Sequence, residues 1–165
     1  MLLRVAKANA TGIPWLDKLR EDASVLRRSH YTPERMGPIH PPGRYFGELL
    51  GWKLKEVDGD WIRTHVDIDF VAGGNPGRYA YNPLDEIWVE KIFAGHDRVA
   101  TIIHELVEAS LMIINGFSYE DAHDVASYME IGIRRHPVTL TSEVAKRIVD
   151  DAHDLAEPLL WKSPH

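Results

Sequence analysis

Apolar residues recur at Val99, Ile102, Ile103, Leu106, Val107 and Ile114, the three-and-four spacing of a helix with a wide apolar stripe. Asp97 suits an N-cap and Gly116 a stop, so a helix reaching Asn115 is expected. Ser118-Tyr119-Glu120-Asp121 reads as the capped start of a second helix running to about Arg135, and His136-Pro137 closes it. Thr141 or Ser142 caps a last helix with Val144, Ile148, Ala152 and Leu155 inward. The period changes upstream. Residues 52–57 and 61–71 flank Asp58-Gly59, a two-residue hairpin signal. In the second of these runs Ile62, Thr64, Val66, Ile68 and Phe70 alternate with Arg63, His65, Asp67 and Asp69, which predicts a strand with one face to the core. Gly73-Gly74-Asn75-Pro76-Gly77 reads as a turn, 79–81 as a short strand and 86–93 as a third full strand. Ahead of these, Pro14 can start a short helix running towards Arg28, with Trp15, Leu16, Leu19, Ala23 and Leu26 on its apolar side. Pro33, Pro38, Pro41 and Pro42 then interrupt regular structure.

This order predicts an α+β fold: a small antiparallel or mixed sheet packed on a helical layer. Residues 51–165 would form that domain. Residues 1–50 would be a Pro-containing extension with one short helix, an arm over the core or a contact for a homo-oligomer. A chain of 165 residues can bury a sizeable core. Its net charge of -6, from 19 Lys and Arg against 25 Asp and Glu, disfavours duplex nucleic acid as a partner. The absence of cysteine excludes disulfides and thiolate metal sites, so any metal must use His, carboxylates or water. The opening apolar run is broken by Arg4 and Lys7, and the longest apolar stretches are too short to cross a bilayer. A soluble, cytoplasmic protein without a membrane partner is expected.

The chemistry concentrates in His104-Glu105-Leu106-Val107-Glu108. His104 and Glu108 are four apart and share one helical face, and Glu105 sits one step further round. The tight turn at Gly116-Phe117 would fold the two helices into an antiparallel hairpin. Counting back from it, Glu108 comes level with His123, and His104 with the Met129–Glu130 level. His104, Glu108 and His123 can therefore converge on one cation, with Glu130 or Asp124 as an extra ligand or as support for a ligand. Two imidazoles and a carboxylate leave zinc an open position for water, with Glu105 as general base. Asp121, Asp124 and Glu130 are candidates to orient His123 through its second nitrogen. The strand at 86–93 would edge the cleft and accept an extended peptide or protein substrate by backbone pairing.

The strand-then-helix order and the H-E-x-x-x motif resemble the zincin metallopeptidases, especially minimal gluzincin-type members. The resemblance covers roughly residues 86–135. It implies that His104 is the first ligand and Glu105 the catalytic base, while Glu108 matches in position and His123 in role. His104-Glu105-Leu106-Val107-Glu108 with Tyr119-Glu120-Asp121-Ala122-His123 is also similar to short uncharacterised phage-type proteins. The same ligand set suits Fe2+, Mn2+ or Ni2+. Three His-Asp pairs, His96-Asp97, His123-Asp124 and His153-Asp154, keep an HD-type phosphohydrolase as an alternative. A non-catalytic metal-binding or structural protein, with the cluster as a polar helix contact, is the other. His65, Asp67 and Asp69 would share a solvated strand face, and Trp52, Trp61 and Trp88 read as core or interface aromatics.

Overall fold

The computed structural model describes residues 12–15, 17–18 and 37–160. Residues 14, 15, 17 and 18 are helical, as expected from Pro14, and the rest of the proposed first helix lies outside the described residues. The chain then forms β1 (Gly43–Leu49), β2 (Trp52–Val57), α1 (Gly59–His65), β3 (Gly73–Gly74), β4 (Glu86–Glu90), α2 (Gly95–Ala109), α3 (Tyr119–Arg135) and α4 (Ser142–Leu160). The class is α+β with a four-stranded mixed sheet ordered β1-β2-β4-β3. β1 and β3 pair antiparallel with their neighbours, whereas β2 and β4 run parallel. Among the described residues no helix is long and apolar enough to cross a membrane.

Several expectations are corrected. The run after Asp58 is not a strand. Asp58 is the N-cap of α1, its side chain accepting from Trp61 N at 3.1 Å. Ile62 and Val66 share a face in the alternating pattern, but they are four apart and so satisfy a helical face as well. The choice is made by a tertiary partner: Arg63 Nη2 lies 2.5 Å from Glu90 Oε1 on β4, and Arg63 Nη1 donates to Phe70 O at 3.2 Å. Ile68 is consequently exposed while Ile62 and Phe70 are buried. Next, the sheet begins before residue 51. β1 pairs with β2 from Gly43↔Val57 to Leu49↔Trp52, and the chain is already tied to this unit at Ile39 N–H to Tyr81 O and Asp58 N–H to Pro42 O. Finally, Gly73-Gly74 is the short edge strand β3, paired with Val89 and Trp88 of β4, and 79–81 is turn.

β4 lies between β2 and β3, and all five of its residues are buried. Its backbone therefore has no free edge for a peptide, against the expectation for 86–93. Ile87 and Val89 face α2, and Trp88 faces α1 with Ile62, Phe70, Tyr79 and Tyr81. Gly73 is required where it is. A Cβ there would lie 2.7 Å from Trp88 O and 3.0 Å from Glu105 Cγ.

α2 is the central element, and every residue from Ala100 to Ala109 is buried. At about 100° per residue its surface divides into three sectors. Ile102, Leu106 and Ala109 pack on the sheet. Ile103 and Val107 pack on Ala122, Val125 and Ala126 of α3 and on Ile148, Ala152 and Ala156 of α4. The remaining sector carries Thr101, His104, Glu105 and Glu108, which are polar and buried. α2 starts at Gly95 rather than after Asp97, and it ends in a π-helical turn, Ser110–Ile114, before Gly116 reverses the chain at φ 75°. Ser118 caps α3, accepting from Asp121 N, and Thr141 Oγ1 caps α4, accepting from Val144 N. In α4, Ile148 and Ala152 are inward as expected, but Leu155 is about half exposed and Ala156 takes the buried position.

Candidate metal centre

Wide apolar contact on two sectors of α2 forces the third, polar sector into the interior, where it must find partners. The partners come from α3 and from the turn after β3. Glu108 is fully buried. Its Oε2 accepts from His123 Nδ1 at 2.8 Å and lies 3.2 Å from His104 Nε2. The two imidazole rings are 4.9 Å apart between centroids and inclined at 68°. His104, Glu108 and His123 thus offer ligand atoms that all lie within 4.8 Å of one another. The level-matching of the two helices holds further down: His104 Nδ1 lies 3.1 Å from Glu130 Oε1, an ion-pair contact without an aligned hydrogen bond. Glu130 is itself held by Arg134, which also pairs with Asp97.

Two residues of the site escaped sequence reasoning. Asn75 is fully buried, and its Nδ2 donates to Glu105 Oε2 at 2.7 Å and to Glu108 Oε1 at 3.1 Å. Its Oδ1 accepts from the backbone N–H of Gly77 and Arg78, the side-chain-mimicked turn that Asn favours. One amide therefore closes a turn and fixes two carboxylates. Arg78, the next residue but two, brings its guanidinium close enough to act electrostatically on Glu105 and Glu108. The only signal in the sequence was the Asn-Pro-Gly turn itself, whose side-chain amide had donors to spare.

The electrostatics divide the two carboxylates. Burial and the neighbouring Glu108 charge push Glu105 up to about 7. Burial also works against the charge on Glu108, but the hydrogen bonds from His104 and His123 outweigh it and hold its carboxyl below the ordinary range. Burial would lower His104, yet Glu108, Glu105 and Glu130 around it raise it instead. The pattern is a buried anion between two imidazoles beside a carboxyl that changes protonation near neutrality.

The donor set is one that could hold a metal ion: two imidazole nitrogens and one carboxylate oxygen converge. Glu108 presents one oxygen to the imidazoles while Asn75 holds the other. A cation at His104 Nε2 would place the ring proton on Nδ1, facing the Glu130 carboxylate, the arrangement that commonly orients a ligating His. Glu105 and Glu108 are sealed, and the cluster meets solvent through His123, whose side chain is 38% exposed. The opening is flanked by Tyr119, stacked on His123 at 5.3 Å.

Asp124 is not part of the cluster. It is exposed on α3, and its side chain makes no hydrogen bond or ion pair among the described residues. Nor do the three His-Asp pairs converge. Among the described residues His153 groups with Asp154 and Glu157 on the outside of α4, His123 belongs to the α2–α3 cluster, and His96 is in neither. His65 stacks on Trp61, and Asp67 accepts from Tyr81 Oη at 2.8 Å, so these two do not form a strand-borne site. No family model matches the chain, and neither curated proteins nor solved structures provide a match.

Proposed function

We propose that this protein is a metal-dependent hydrolase, a peptidase of zincin-like type, in which His104, Glu108 and His123 hold zinc and Glu105 is the general base. The observation that carries the reading is that imidazoles from two helices meet one oxygen of a fully buried carboxylate. Zinc in such a ligand set supplies Lewis acidity and lowers the pKa of a bound water towards ~7.

The chain's own groups suit the remaining work. Glu105 Oε2 is anchored by Asn75, and Oε1 makes no hydrogen bond among the described residues. Glu105 lies beside Glu108 on the same buried face of α2, so its carboxylate is placed to accept a proton from water and return it to a leaving amine. Asn75 keeps Glu105 and Glu108 from moving independently, since both accept from its one nitrogen. Substrate approaches past His123 and Tyr119 rather than along β4.

A second reading, a non-catalytic cluster, is favoured by the near-complete burial of Glu105 and Glu108. The two separate in one experiment. Zinc content is measured by elemental analysis in the wild type and in His123→Ala, alongside peptide hydrolysis with and without chelator. The hydrolase reading expects one zinc per chain, its loss in the variant, and chelator-sensitive cleavage. Unchanged zinc content in the variant, or bound zinc with no cleavage of any peptide, would leave the cluster as a structural helix contact.

A further inference from the structure

Arg78 is a half-buried guanidinium with an unusual set of neighbours. Its Cζ lies 4.9 Å from the Tyr79 ring centroid and 5.7 Å from that of Tyr119. Tyr119 in turn stacks on His123 at 5.3 Å. One aromatic ring therefore separates Arg78 from a candidate ligand. Its backbone N–H donates to Asn75 Oδ1 at 3.1 Å, so the residue that holds Glu105 and Glu108 also places Arg78.

Among the described residues the Arg78 side chain has no hydrogen bond and no ion pair. Arg98, by contrast, is paired with Glu56, and Arg134 with Asp97 and Glu130. Partial desolvation of an unpaired cation is costly, and the aromatic faces recover only part of that cost. They offer its N–H groups no oxygen acceptor, so the donor fork stays without a partner among the described residues. A planar fork matches a carboxylate through two parallel hydrogen bonds.

We infer that Arg78 binds the free C-terminal carboxylate of a peptide substrate, so that the site trims chain ends. This rests on the hydrolase reading above and narrows its substrate class. β4 is paired with β2 on one side and with β3 on the other, so strand addition to β4 itself does not supply recognition. The two ring spacings set the reach. At roughly 3.3–3.6 Å per extended residue, the carboxylate lies about one to three residues from the scissile bond.

The test uses zinc-loaded Glu105→Gln protein, in which turnover is blocked, and calorimetric titration with N-acetyl-trialanine as the free acid and as its C-terminal amide. The acid is expected to bind about tenfold tighter than the amide, and adding Arg78→Gln is expected to reduce that preference to under about twofold. Arg78→Lys should retain part of it, because charge persists while the fork is lost. Equal binding of acid and amide, or no binding of either, overturns the inference. So does a preference undiminished in both Arg78 variants, which would assign the carboxylate to the zinc. A merely structural Arg78 would weaken both probes alike. Absence of zinc from the wild-type protein is a separate result and removes the hydrolase reading itself.

Discussion

Glu105→Gln should stabilise the metal-free protein, and only above acidic pH. The carboxyl is 2% exposed and its pKa rises from 4.5 to about 7, through burial first and the Glu108 charge second. Between those values the folded chain holds a proton that the unfolded chain releases, so stability falls as pH rises through that window. It is fully present below about 4.5 and fully lost above about 7. At about 1.4 kcal/mol per pH unit the loss comes to roughly 3 kcal/mol. The amide carries no charge to bury, and its oxygen can still accept from Asn75 Nδ2. The variant should therefore match the wild type near pH 4.5 and exceed it by up to roughly 3 kcal/mol at pH 8. For a chain of this size that is a rise in Tm of about 6–12 °C. The assay is urea or thermal unfolding of both proteins in excess chelator across pH 4.5–8. A stability difference that does not change with pH would mean that Glu105 is not a strained buried acid in the metal-free protein.

Two more outcomes follow from the same geometry. Asn75→Ala removes two bonds to carboxylates and two to backbone N–H groups, and should cost about 3 kcal/mol of stability in chelator-treated unfolding; a loss below about 0.5 kcal/mol would show the amide to be dispensable. Zinc affinity should fall as pH drops, because His104, raised by its three carboxylate neighbours, must give up its proton to bind the cation. Competition against a coloured chelator should approach a tenfold loss per pH unit below the His104 pKa, and a flat profile from pH 8 to 6 would remove His104 from the ligand set.

The triad was legible in the sequence because everything that brings it together is local or nearly so. Helical spacing puts His104 and Glu108 on one face, Gly116 and Ser118 set the turn, and the count from that turn brings His123 level with Glu108 and Glu130 level with His104. These are properties of helix rise and capping, and they do not wait on the rest of the chain. The choice between helix and strand after Asp58 was not of that kind. Ile62 and Val66 fit either period, Asp58-Gly59 fits either a hairpin or a cap, and Glu90, on another strand, selects the helix through Arg63. Tertiary packing alone also placed β2 beside β4 in parallel, closing the edge that a peptide would have needed. It likewise carried Asn75 and Arg78 from a surface-type turn to the buried carboxylates thirty residues away. Local pattern specifies what a residue repeats with along its own element, whereas a partner from elsewhere is selected only when buried polar groups must be satisfied by whatever the fold brings near.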